Sequence, residues 1–101
     1  MDMGRKKGFD ERKIANIIGV LYKHPDGMWI RQIAREAGIN HATVIRYIDS
    51  ILRPMVEDVS LGSEKRILRI IRLKSFVIEQ LQAGKNIQDI VKMLRLLSKV
   101  G

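Results

Sequence analysis

One glycine inside the stretch Ile30 to Leu52 constrains this chain more than any other residue. Before Gly38, residues Ile30, Ile33, Ala34 and Ala37 recur at three- and four-residue spacing, the period of a helix with one buried face. Ala34 and Ala37 are small and suit a close helix crossing. Gly38 permits the positive φ that ends a helix sharply. Asn40 follows as a good N-cap, with Ile39 and Val44 at hydrophobic-staple positions. The spacing therefore predicts two short helices joined by a tight turn. The second buries Val44, Ile48, Ile51 and Leu52. It turns His41, Ala42, Thr43, Ile45, Arg46, Asp49 and Ser50 outward, with Tyr47 at the edge of that face.

The flanking segments follow the same logic. Asp10 is an N-cap candidate for an earlier helix, with Phe9 and Ile14 at staple positions and Glu11 in the first turn. Ile14, Ile17, Ile18 and Leu21 form its apolar stripe, and Pro25-Asp26-Gly27 makes a turn after it. His24 reads as a helix C-terminal residue favoured by the helix dipole. Met28-Trp29-Ile30 is a short extended piece, and Trp29 is expected in the core. The helix after Asn40 is expected to stop near Arg53, because Pro54 disfavours helix at the residue before it. The period then changes. Met55 to Leu61 and Arg66 to Lys74, separated by Gly62-Ser63-Glu64-Lys65, carry a β-hairpin signal. In the second strand Ile67, Arg69, Ile71 and Leu73 share one face, and Arg66, Leu68, Ile70 and Arg72 the other.

The residues Ile33-Ala34, Gly38-Ile39, Thr43-Val44, Arg46, Ile48 and Ile51, with the strand and hairpin around them, resemble the winged helix-turn-helix family. MarR-type and ArsR-type regulators and the small basic winged-helix chromatin proteins of archaea belong to it. The resemblance covers Asp10 to Lys74. It implies a mainly α fold with a small β-hairpin wing (α+β), over residues 9–74. Residues 41–53 form its recognition helix and 55–74 its wing, and it turns Ile71 and Leu73 inward. Residues 1–8, with Arg5, Lys6 and Lys7 adjacent, read as a flexible basic arm. Residues 75–101 read as C-terminal helices, capped by Ser75 and Asn86. In the last, Ile87, Ile90, Val91, Leu94 and Leu97 make one apolar stripe, and Met93 begins a second surface with Leu96 and Val100. With little domain left to cover them, Ile87, Ile90, Val91, Met93, Leu94 and Leu97 are expected to form a dimer interface.

Composition agrees with a polyanion as partner. The 101 residues carry a net charge of +8, a balance that favours DNA, RNA or an anionic membrane surface. No cysteine is present, which removes disulfides and thiolate metal sites, and the two histidines have no carboxylate cluster beside them. No apolar run approaches the roughly 20 residues that cross a bilayer. The expectation is a cytoplasmic, nucleoid-associated protein without cofactor or metal. No Gly-rich phosphate loop, carboxylate pair or nucleophile–base pair points to an enzyme.

The resemblance implies a DNA-binding surface. One α-helix fits the major groove, and its N-terminus offers free N–H groups to phosphate. Asn40, His41, Ala42, Thr43, Ile45, Arg46 and Tyr47 are assigned to it. Arg46 is placed to take guanine or phosphate, Thr43 a phosphate, and Ala42 or Ile45 a thymine methyl. Arg31 and Arg35 are assigned to the backbone, and Lys65 and Arg66 at the hairpin tip to the flanking minor groove. The plainer alternative pairs Arg46 with Asp49 at i, i+3 and leaves the other cations in solvent. Three roles stay open: a homodimeric transcriptional regulator on double-stranded DNA, a sequence-independent architectural protein, and a winged-helix protein-interaction module.

Overall fold

The computed structural model describes residues 9–59 and 69–100, with side chains described as far as Leu96. The expected basic arm, the hairpin tip with Lys65 and Arg66, and the Leu97 and Val100 side chains lie outside the described residues. Within them the chain is mainly helical, with a small three-stranded antiparallel sheet.

Helix α1 (Glu11–Tyr22) is central. The Asp10 carboxylate accepts from the backbone N–H of Arg12 at 2.8 Å, which satisfies one of the free donors at the helix start. Ile14, Ile17, Ile18 and Leu21 are buried along one side. The turn that follows requires Gly27 at φ +120°, where a Cβ would lie 2.7 Å from Cγ2 of Ile70. Strand β1 (Met28–Trp29) comes next and runs straight into α2 (Ile30–Ala37). Met28 and Ile30 are buried, so alternation turns Trp29 outward, and it is 44% exposed rather than in the core.

Gly38, at φ 69° and ψ 35°, ends α2 in the left-handed conformation, its N–H returning to the Ala34 carbonyl. Asn40 caps α3 (His41–Asp49), its side-chain oxygen accepting from the Ala42 N–H at 2.8 Å. The helix stops at Asp49, short of Arg53. Ser50 leaves helical geometry, and a single 3-10 turn (Arg53–Met55) accommodates Pro54. Ile51, Leu52 and Met55 are buried all the same, because the turn swings them under α3.

Strands β2 (Val56–Asp58) and β3 (Ile70–Leu73) pair with Val56 opposite Leu73 and Asp58 opposite Ile71. β1 adds to the other edge of β3, Met28 opposite Ile71, giving the order β1-β3-β2. Ile71 and Leu73 face the core as expected. The outer face carries Trp29, Ile70 and the cross-strand pair Arg72–Glu57, with Nε 2.8 Å from Oε2.

β3 leads directly into α4 (Ser75–Gln82), so Lys74 holds the cap position and Ser75, expected there, is the first helical residue. Asn86 caps α5 (Ile87–Val100) in a reciprocal box. The Asp89 N–H donates to the Asn86 side-chain oxygen at 3.0 Å, and the Asn86 N–H to the Asp89 carboxylate at 3.4 Å. The stripe expected to join two chains is internal instead. Ile90 and Val91 are 1% exposed and Leu94 0%, and Ile87 and Met93 pack against the same core. Helix α5 lies along α1, with Arg95 paired to Glu11. The sheet and α2 leave one side of α1 open, and α5 fills it.

Candidate nucleic-acid interface

The surface built by α2, its turn and α3 begins with its buried side. Val44, Tyr47 and Ile48 anchor α3 in the core. Tyr47 was expected at the outer edge and assigned to DNA contact. It is 2% exposed, which removes its ring from that surface. Its hydroxyl oxygen accepts from the Asp10 N–H at 2.8 Å, and its ring meets Phe9 edge-on at 5.0 Å. An aromatic ring with a polar tip is well used there, joining α3 to the start of α1. Ile45 is half-buried against the core and Thr43 half-buried beside it.

The outward side then consists of Asn40, His41, Ala42, Arg46, Asp49 and Ser50 on α3 and its caps, with Arg31 and Arg35 on α2, all exposed. Asn40 contributes its carbonyl oxygen to the cap and keeps its amide group toward solvent. Arg46 lies with its guanidinium carbon 5.3 Å from the Phe9 ring centroid and 5.1 Å from that of Tyr47, a cation–π arrangement on two rings. Among the described residues it has no carboxylate partner.

Asp49, the alternative partner for Arg46, is taken elsewhere. Arg69, just before β3, reaches it with Nη1 at 3.1 Å and Nη2 at 2.8 Å, and reaches Asp58 with Nε at 2.9 Å. A planar fork that meets one carboxylate twice and a second once is a better fit than a single i, i+3 pair. Asp49's hydrogen bonds hold the Arg69 pKa above its usual value, against partial burial and with support from Asp58. The network fastens the end of α3 to the sheet. A cleft of about 360 Å³ opens beside it, with Arg53 and Lys74 on its lining. Sequence reasoning assigned Arg69 no role. Its signal was the alternation that puts it on the inward face with Ile71 and Leu73, where an arginine needs an acidic partner.

The remaining polar contacts on this side are braces. His24 Nε2 lies 3.1 Å from Glu36 Oε1, tying the end of α1 to α2, and Gln32 donates to the same carboxylate at 3.3 Å. Among the described residues no group of His, Asp or Glu is arranged to hold a metal ion, and no helix is long and apolar enough to cross a membrane. No protein-family model matches the chain, and no curated protein matches it either.

Proposed function

We propose that this chain is a double-stranded DNA-binding protein of winged helix-turn-helix type, acting as a transcriptional regulator at the nucleoid. In this reading α3 enters the major groove, α2 rests on the backbone and the β2–β3 pair serves as the wing. The observation that carries it is the charge arrangement of α3. Among the described residues no carboxylate pairs with Arg46 on its outward face, while Asp49, the one acid on that helix, is paired with Arg69, which it shares with Asp58. Exposed Arg31 and Arg35 extend the cationic surface, and the net charge of +8 supplies the long-range attraction. Nothing in the α5 stripe supports pairing of two chains, since its described members fill the chain's own core.

A second reading, sequence-independent architectural binding, is favoured by one observation. With Tyr47 buried and Thr43 and Ile45 half-buried, His41 and Ala42 are left as the exposed side chains on the first turn of α3. Fluorescence anisotropy on random duplex and on a genomic fragment pool, across a salt series, tests both. A fraction of fragments retained at high salt is the expected result for a regulator. Affinity equal on all sequences and falling steeply with salt selects the architectural reading. No binding to either at low salt overturns DNA binding altogether.

A further inference from the structure

We infer that Arg46 is a backbone-phosphate clamp rather than a base reader, and that Phe9 is the residue that positions it. This rests on the DNA-binding reading of α3 and specifies what one of its side chains does there.

The argument starts from where the guanidinium sits. Arg46 lies on the outward side of α3, opposite Val44 and Ile48. A side chain that reads base edges extends straight from that side to the groove floor. The guanidinium of Arg46 is instead drawn sideways, over the ring of Tyr47 on its own helix and the ring of Phe9 at the start of α1. With α3 in the groove, a cation displaced toward α1 meets the groove wall, which is the sugar-phosphate strand. The two rings stand at 88° to each other, so the guanidinium lays its flat face on at most one of them, and the N–H groups directed away from the rings are the ones offered to phosphate oxygens.

Among the described residues Arg46 also lacks a carboxylate partner. Asp49, one turn along, faces Arg69 and holds it at two oxygens. Asp10 faces the same corner from α1, but its carboxylate accepts from the Arg12 N–H and its own N–H donates to Tyr47. Asp49 is paired with Arg69 and the Asp10 carboxylate caps α1; among the described residues no carboxylate pairs with Arg46, which is held in place by rings that do not neutralise it. Phe9 is half-buried and packs against the core, so its ring stands beside Arg46 before any ligand arrives. Holding the side chain in advance lowers the ordering cost of binding.

The test is a double-mutant cycle on the full chain, read by anisotropy on several unrelated duplexes across a salt series, with the thermal midpoint of each variant recorded. Arg46→Ala is expected to weaken binding to every duplex by the same factor, on the order of tenfold at 0.1 M salt, and to reduce the salt slope by about one. Phe9→Leu is expected to weaken binding severalfold in the wild-type background and not at all in the Arg46→Ala background. Arg46→Lys keeps the charge without the fork, and is expected to restore the slope but not the full affinity. This variant decides the matter where Arg46→Ala fails to fold. Loss confined to duplexes that carry one particular base pair, and absent where that pair is altered, overturns the clamp in favour of base readout. A lowered thermal midpoint with unchanged affinity makes the stack a structural brace only. Equal effects of Phe9→Leu in both backgrounds remove Phe9 as the positioning residue. If the unmodified chain binds no duplex at low salt, the DNA reading itself fails. Wild-type binding with Arg46→Ala unaffected overturns the clamp alone.

Discussion

Helices α3 and α5 carry equally clear apolar stripes, and the structure uses them differently on their remaining sides. α3 buries Val44, Tyr47 and Ile48 and turns a polar, cationic side outward. α5 buries Ile90, Val91 and Leu94 and leaves Leu96, 66% exposed, on its other side. The stripe alone says that a helix has something to cover. Whether the cover comes from the same chain depends on what space the other elements leave. α1 is flanked by α2 and the sheet and still offers a bare side, so α5 closes the core from within. Charge separates the two helices further. Arg95 of α5 is paired with Glu11, whereas Arg46 of α3 rests on two rings with no acid partner among the described residues.

The sharpest way to break this contrast is Leu94→Ala. A core position loses about 2–5 kcal/mol of stability through transfer and cavity terms. The loss measured by denaturant unfolding should be the same over about a hundredfold range of protein concentration, since no association is removed. A loss that grows on dilution would return α5 to the interface role. A smaller effect is expected at the caps. Asn40→Ala and Asn86→Ala should each cost about 1 kcal/mol in the same assay. Asn86→Ala should be the larger, because it also dissolves the reciprocal contact with Asp89. The smallest effect belongs to Leu96→Ser, expected to stay within about 0.5 kcal/mol. A substantially larger destabilisation there would mean that α5 has a second packed side after all.

Much of the local architecture was legible in the residues. Asp10, Gly38, Asn40 and the Asn86–Asp89 box act through contacts within a few positions, which a sequence displays directly. The inward facing of Ile71 and Leu73 came from the resemblance, because alternation alone divides the strand into two faces without saying which is buried. The position of Tyr47 was not legible. A tyrosine at a stripe's margin goes inward or outward according to its neighbour, and that neighbour is Phe9, which the chain brings in from far upstream. Arg69 and Asp49 are 20 residues apart, and their pairing depends on a turn at Ser50 that no local pattern announces. Trp29 was misplaced for a simpler reason. Its size suggested the core, while the buried residues on either side of it assigned that place to Met28 and Ile30.

The short strand β1 has a kinetic consequence. Met28 pairs with Ile71, so joining β1 to β3 closes a loop that contains α2, α3 and β2. Pairing so far apart in the chain forms more slowly than local helices, and β1 holds it with two paired residues and the Ile30 N–H to the Arg69 carbonyl. The α2–α3 pair relies on neighbours close in the chain and can assemble first. The sheet then latches around a unit that already has its shape. On transient opening, the latch is the part that lets go, and the surface carrying Arg46 keeps its form while the β1 amides exchange with solvent.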